Sequence, residues 1–244
     1  MSLKLETLGI GLLALLAAGA IALMMLNAKS ATTASAETGG HFVTGDTSGH
    51  TILVGEDKPG STGGFTDPHN EKAEIFCKGD VKYHGTLTTQ TATEITLTPT
   101  FPTGAEGCVA KIPLGEFTTH IDMNGCDFSF TIGKTRDQHN TTHLKCPVGK
   151  HVQATVTAPA GICTITIKPQ TPAGGSGYYN IPENEITIKP TLTGIHAQYI
   201  GGPFKCGAPE GTTTTKGEFG NRISLKAFTT AGQPKSIVAT GPAD

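Results

Sequence analysis

From residue 65 to residue 228, apolar and polar residues alternate in short runs, and no segment repeats apolar residues at helical spacing. The alternation predicts strands near residues 74–78, 81–88, 94–98, 108–112, 116–123, 126–132, 143–146, 151–157, 162–168, 185–189, 195–200, 214–219 and 223–228. Gly, Pro or Asn bounds nearly every run. Many short strands separated by turns point to an all-β fold. The expected form is an antiparallel, disulfide-braced β-sandwich, immunoglobulin-like or jelly-roll-like.

The sharpest local signal lies in residues 116–132. There Asn124-Gly125 separates two alternating runs, EFTTHIDM and CDFSFTI. A type I′ turn needs positive φ at both central residues, so Asn-Gly predicts a two-residue hairpin. Its register would set Met123 against Cys126, Ile121 against Phe128, Thr119 against Phe130 and Phe117 against Ile132. That face is core, and the face with Thr118, His120, Asp122, Asp127, Ser129 and Thr131 is solvent.

The N-terminus reads as a targeting segment. Lys4 precedes an apolar run over residues 8–26, and a short polar stretch ends in Ala34-Ser35-Ala36. This is the order of a secretory signal peptide, residues 1–36, with a signal helix and an A-x-A cleavage site. The apolar run is also long enough to span a bilayer uncleaved, the alternative being a membrane-anchored protein. Residues 37–64 are rich in Gly, Ser and Thr and predict a flexible lead-in, with HTILVG as a short strand. The packed domain is then 65–244, with possible sub-domains 65–135 and 136–244. A weak repeat relates 94–101 to 185–192, with a partial copy at 165–169. Each copy is an alternating strand stopped by Pro.

Six cysteines in an exported chain argue for three disulfides, with fifteen possible pairings. If 143–146 returns antiparallel beside 126–132, Cys126 faces Cys146. A hairpin through 158–161 puts Cys163 near Val156, beyond bridging reach of Cys146. The preferred set is Cys77–Cys108, Cys126–Cys146 and Cys163–Cys206. No CxxC occurs, which argues against a redox pair or a cysteine-type zinc site. The net charge of −2 gives no electrostatic reason to expect nucleic acid or an anionic membrane surface as partner.

At NGCDFSF (124–130), GICTITI (161–167) and TGIHAQY (193–199) the chain resembles a group of secreted, Thr- and Gly-rich six-cysteine proteins of soil actinobacteria. The resemblance implies export and a disulfide-braced β-fold over about residues 75–228. That group is uncharacterised and supplies no active site to carry over.

Candidate chemistry is sparse. His139 and His143 flank Asn-Thr-Thr, a metal-ligand spacing on a helix but a turn in this polar segment. Asn140-Thr141-Thr142 fits the N-glycosylation pattern. Asp122 and Asp127, opposed across the hairpin, could share a Ca²⁺ with help from Asn124. Glu94, Glu116, Glu183 and Glu185 could supply a carboxylate pair for glycoside hydrolysis, though no spacing selects two of them and the chain has no Trp. Tyr178-Tyr179 could stack on a ligand, or place one ring inward and one outward. The expected function is a secreted or cell-surface structural or ligand-binding module for an extracellular ligand or surface component. Its alternative is a secreted hydrolase acting on an extracellular polymer. Exported protein should begin at Glu37 by mass spectrometry. A chain that keeps residues 8–26 and fractionates with membranes would refute cleavage.

Overall fold

The computed structural model describes residues 40–47, 50–58, 64–68, 73–112, 115–133, 140–181, 184–202 and 206–241. The expected signal helix and its cleavage site lie outside the described residues. Residues Gly39–Asp244 form one compact unit.

After β1 (His41–Thr44) the chain makes eight successive passes. The first is β2 (Thr51–Asp57) with β3 (Gly64–Asp67), and the second β4 (Ala73–Cys77) with β5 (Lys82–Leu87). A short β6 (Thr91–Ala92) leads to the third, β7 (Glu94–Thr100) with β8 (Cys108–Ile112). The fourth is β9 (Gly115–Asp122) with β10 (Asp127–Thr131), and the fifth β11 (Thr141–Lys145) with β12 (Val152–Ala158). The sixth is β13 (Gly161–Ile167) with β14 (Ala173–Ile181), and the seventh is the unbroken β15 (Glu185–Ile200). The eighth is β16 (Thr213–Gly220) with β17 (Ile223–Thr229), followed by β18 (Pro234–Lys235) and β19 (Ile237–Thr240).

Each pass pairs antiparallel with the next, and the eighth pairs with the first. The pairings fall into two rows that share β15. One row is a closed ring of eight strands, β15–β13–β12–β9–β8–β4–β3–β16, sealed because β16 pairs with both β15 and β3. The other runs β14–β15–β17–β2–β5–β7–β10–β11. Its two ends meet through an isolated bridge between Leu144 and Gln170 and a Thr142 Oγ1–Ser176 Oγ contact of 2.7 Å. Closure replaces the expected two-sheet sandwich, because a closed ring leaves no strand edge unpaired.

Alternation supplies the interior. In β12, Val152, Ala154, Val156 and Ala158 are buried while Gln153, Thr155 and Thr157 face outward. The ring core includes Phe65, Ile75, Ala110, Val156, Ile165 and Tyr199. The second row packs Leu53, Tyr83, Leu97, Phe130, Ile186 and Leu225. Phe42 of β1 and Ile237 of β19, both fully buried, join that second core. The expected flexible lead-in is therefore structural: β2 pairs with both β5 and β17, and Leu53 is fully buried. The short strand expected at HTILVG is β2, while the alternating run HFVT of β1 is not among the expected strands.

The Asn-Gly turn forms, but the hairpin does not. Asn124 and Gly125 have φ of 51° and 80°, and the Cys126 N–H donates to the Met123 carbonyl at 2.8 Å. Yet β9 pairs with β8 and β12, and β10 with β7 and β11. The turn carries the chain from one row to the other instead. It is held by the Asn124 amide on the His151 carbonyl at 3.0 Å and by the Cys126–Cys146 disulfide. Phe128 and Phe130 do share the inward side. Ser129, turned the other way, is nevertheless fully buried rather than solvated, with Thr96 and His143 as its cross-strand neighbours.

Pro169 of the partial copy lies just past the end of β13, but the Pro residues of the two longer copies do not stop their strands. β7 runs through Pro99 and β15 through Pro190. The Pro190 carbonyl accepts from Asn221 N–H at 3.3 Å, so its nitrogen faces the interruption between β16 and β17, where no ladder donor is needed.

The disulfides are Cys77–Cys108, Cys126–Cys146 and Cys163–Cys206, the set the strand reading prefers, and no described cysteine is free. Emptying the Phe130 site by Phe130→Ala should cost about 3–5 kcal/mol. Val148→Ala, at a fully exposed turn position, should stay within about 0.5 kcal/mol of wild type. Denaturant midpoints of the two variants check this, and equal losses would place the core wrongly.

Candidate functional site

Seven of the eight passes are interrupted where the rows meet, and there the interior is not filled. A cavity with about 110 Å³ of space for the centre of a water-sized sphere opens at this junction. All eight passes contribute to its wall, with Phe65, Tyr83, Phe101, Phe128, Leu192 and Phe219 the larger apolar groups. Phe128 of the fourth pass and Phe219 of the eighth stack with ring centroids 5.7 Å apart and planes 18° from parallel. Two small residues, Ala154 and Gly64, also line the wall.

The polar groups in that wall are already spent. The Asn221 amide donates to Asp57 Oδ1 and to the Tyr83 hydroxyl, both at 2.7 Å, while its oxygen accepts from the Arg222 N–H at 2.6 Å. Gln170 donates to the carbonyls of Lys168 and His196 and accepts from the His196 N–H at 2.8 Å. Thr142 is engaged with Ser176. An entering molecule thus meets an apolar surface with no polar side chain in want of a partner.

Asp57 is buried behind Asn221. Burial pushes its carboxyl above the usual value of 3.8, against hydrogen bonds from Asn221, the Val81 N–H and Tyr83 that favour the charged form. Burial, then the neighbouring Asp57, holds the Tyr83 hydroxyl well above the usual tyrosine range. These side chains replace ladder bonds lost at the interruptions, for Asp57 Oδ2 accepts from the Val81 N–H at 3.4 Å.

The residues singled out in the sequence lie elsewhere. Asp122 accepts from the Asn124 N–H at 2.7 Å and stands opposite Gln153. Asp127 accepts from Thr98 at 2.5 Å and stands opposite Lys145. The two carboxylates are thus not opposed across a hairpin, because their strands pair with other partners. His143 uses both ring nitrogens, on Thr171 at 2.7 Å and Thr141 at 3.1 Å, while His139 lies outside the described residues. No group of three or more His, Cys, Asp or Glu able to hold a metal occurs among the described residues.

Asn140 of the glycosylation pattern donates to the Ser176 carbonyl and accepts from the Gly133 N–H, 2.9 and 3.0 Å. Glu94, Glu116 and Glu185 sit in separate ion pairs. Glu94 pairs with Lys145, Glu116 with Lys78 at 3.0 Å, and Glu185 with Lys58 at 3.0 Å and Lys226 at 3.8 Å. Glu183 lies outside the described residues. Burial raises the Glu94 and Glu185 carboxyls, but hydrogen bonds from Lys145 and Lys58 foremost outweigh it and hold both below the usual value of 4.5. Tyr178 turns inward against Phe42, centroids 5.2 Å apart, and Tyr179 turns outward, as strand alternation requires.

Comparison with protein-family models, with curated proteins and with solved structures finds no match to this chain. No helix among the described residues is long and apolar enough to cross a membrane, which leaves strands out of account.

A carboxyl raised by folding favours the folded state below its unfolded value, near 3.8 for Asp57, and loses that contribution as pH rises through the folded value. The lowered Glu94 and Glu185 act oppositely, stabilising above 4.5 and losing that contribution as pH falls through their folded values. Relative to Asp57→Asn, wild-type protein should therefore lose stability as pH rises from about 4. Unfolding free energies of both proteins across that range check it. A difference flat in pH would mean that Asp57 titrates alike folded and unfolded.

Proposed function

We propose that the chain is a secreted or cell-surface binding module that takes a small apolar molecule into the junction cavity. The observation that carries this reading is the cavity itself, about 110 Å³ and walled by apolar side chains whose few polar neighbours are already hydrogen-bonded. A water needs only about 10–15 Å³ on this measure but also two to four polar partners. An apolar cavity of this size therefore favours a dry, apolar occupant. Eight-stranded closed rings are the size class whose interior is just filled by side chains or holds one small ligand. Three disulfides suit an oxidising compartment outside the cytosol, and together with the signal-like N-terminus they support export.

Toluene is the probe. At a free concentration ten times its dissociation constant it should stabilise the fold by about 1.4 kcal/mol, raising the unfolding midpoint by about 3–6 °C for a chain of this size. Ala154→Phe, which fills the cavity, should abolish the shift. Ala154→Leu serves if the larger ring prevents folding. No shift in wild-type protein, or an equal shift in a folded cavity-filled variant, would refute the reading.

A further inference from the structure

A second concavity lies on the outer side of the same wall. It has about 490 Å³ of space for the centre of a water-sized sphere and is lined along β15, β16, β3 and β4. Gly64, Leu192, Phe219 and Asn221 line both spaces, so the groove and the cavity share a single partition. The partition stands where β16 gives way to β17 at Asn221-Arg222, and where the β15–β16 register shifts between Leu192 and Ile195. A Cβ added at Gly220, on the groove side, would meet nothing within 4 Å.

The chemistry of the two sides differs. The cavity is apolar and its polar atoms are spent. The groove carries Glu74 and Glu218 together with Lys189 and Arg222. Glu218 and Glu74 stand on either side of Thr66 in one row across β16, β3 and β4. Ion pairs elsewhere tie Glu56, Glu94, Glu116 and Glu185 to lysines, but none of the groove's four charged groups takes part in an ion pair among the described residues. Two carboxylates and two cations without an ion pair among the described residues therefore line one space.

We infer that the ligand is an amphiphile with a short apolar tail in the cavity and a zwitterionic head group in the groove. The inference rests on the cavity reading above and names the ligand class for that site. The tail must be short, because the cavity is small. The head must stay outside, because burying a polar group without a partner is unfavourable, and the amide donors of Asn221 and Gln170 are already engaged. A head of one sign would meet two like charges. A head of both signs can approach Lys189 and Arg222 with its anion and Glu74 and Glu218 with its cation.

The test titrates the full chain with 1-hexanol, hexanoate, hexylammonium and hexylphosphocholine by calorimetry at low salt, with toluene stabilisation measured in parallel. Hexylphosphocholine should bind about threefold to tenfold tighter than 1-hexanol, the range expected of two exposed charge contacts, and added salt should shrink the preference. Glu218→Gln and Arg222→Gln should each remove most of it and leave the toluene shift unchanged. If toluene stabilises the fold but 1-hexanol, hexanoate or hexylammonium binds as tightly as hexylphosphocholine, the head-group assignment is overturned and the cavity reading stands. The head-group assignment is likewise overturned if neither groove variant changes the preference. If toluene does not stabilise the fold and none of the four binds, both are overturned.

Discussion

Closure of the ring through β16 is the constraint on which the other features depend. By pairing with β15 on one side and β3 on the other, β16 removes the last free edge. Every inward side chain of that ring must then share one enclosed interior. Small residues suit it: Ala73, Ala110, Ala154 and Ala197 sit among Phe65, Ile165 and Tyr199. The ring also carries a buried carboxylate, Asp67, which accepts from the Tyr199 hydroxyl at 2.8 Å and from Thr214 at 3.0 Å. A buried carboxylate is tolerable only when so satisfied.

The second constraint is the interruption of seven passes where the rows meet. A broken ladder strands backbone donors and acceptors, and each needs another partner. Asp57, Asn221 and Tyr83 meet that need around the first, second and eighth passes. Two disulfides mark the same level, Cys77–Cys108 between the second and third passes and Cys126–Cys146 between the fourth and fifth. In the chain-entropy model each contributes about 3–4 kcal/mol. Crosslinks and polar networks thus replace ladder bonds at the level where the interior is left unfilled. The cavity and its bracing have one origin.

Alternation, disulfide pairing and the inward facing of Phe128 and Phe130 were legible in the sequence because they are local. Side-chain direction follows from period two along a strand, and Cys126 and Cys146 are near enough in the chain for a single pairing step to bring them together. The Asn-Gly turn was legible for the same reason, since positive φ at two adjacent residues is a property of those residues. What that turn joins was not. Whether β9 pairs with β10 or with β8 and β12 depends on competition among strands far apart in the chain. Composition likewise misdirected part of the reading of residues 37–64: the short strand at HTILVG is β2, but Gly and Thr masked β1.

The sequence by itself determined an all-β chain and the alternation along its strands, because each follows from neighbours a few residues away, and the strand reading favoured the cysteine partners that the structure shows. Only the tertiary structure decided that the strands close into a ring, that Asp57 meets Asn221 across 164 residues, and that Phe128 stacks on Phe219. It also set Asp122 opposite Gln153 and Asp127 opposite Lys145, and placed Glu94, Glu116 and Glu185 in different ion pairs. The physical reason is that a cavity is bounded by residues from every pass, and no stretch of chain contains more than a small part of its wall.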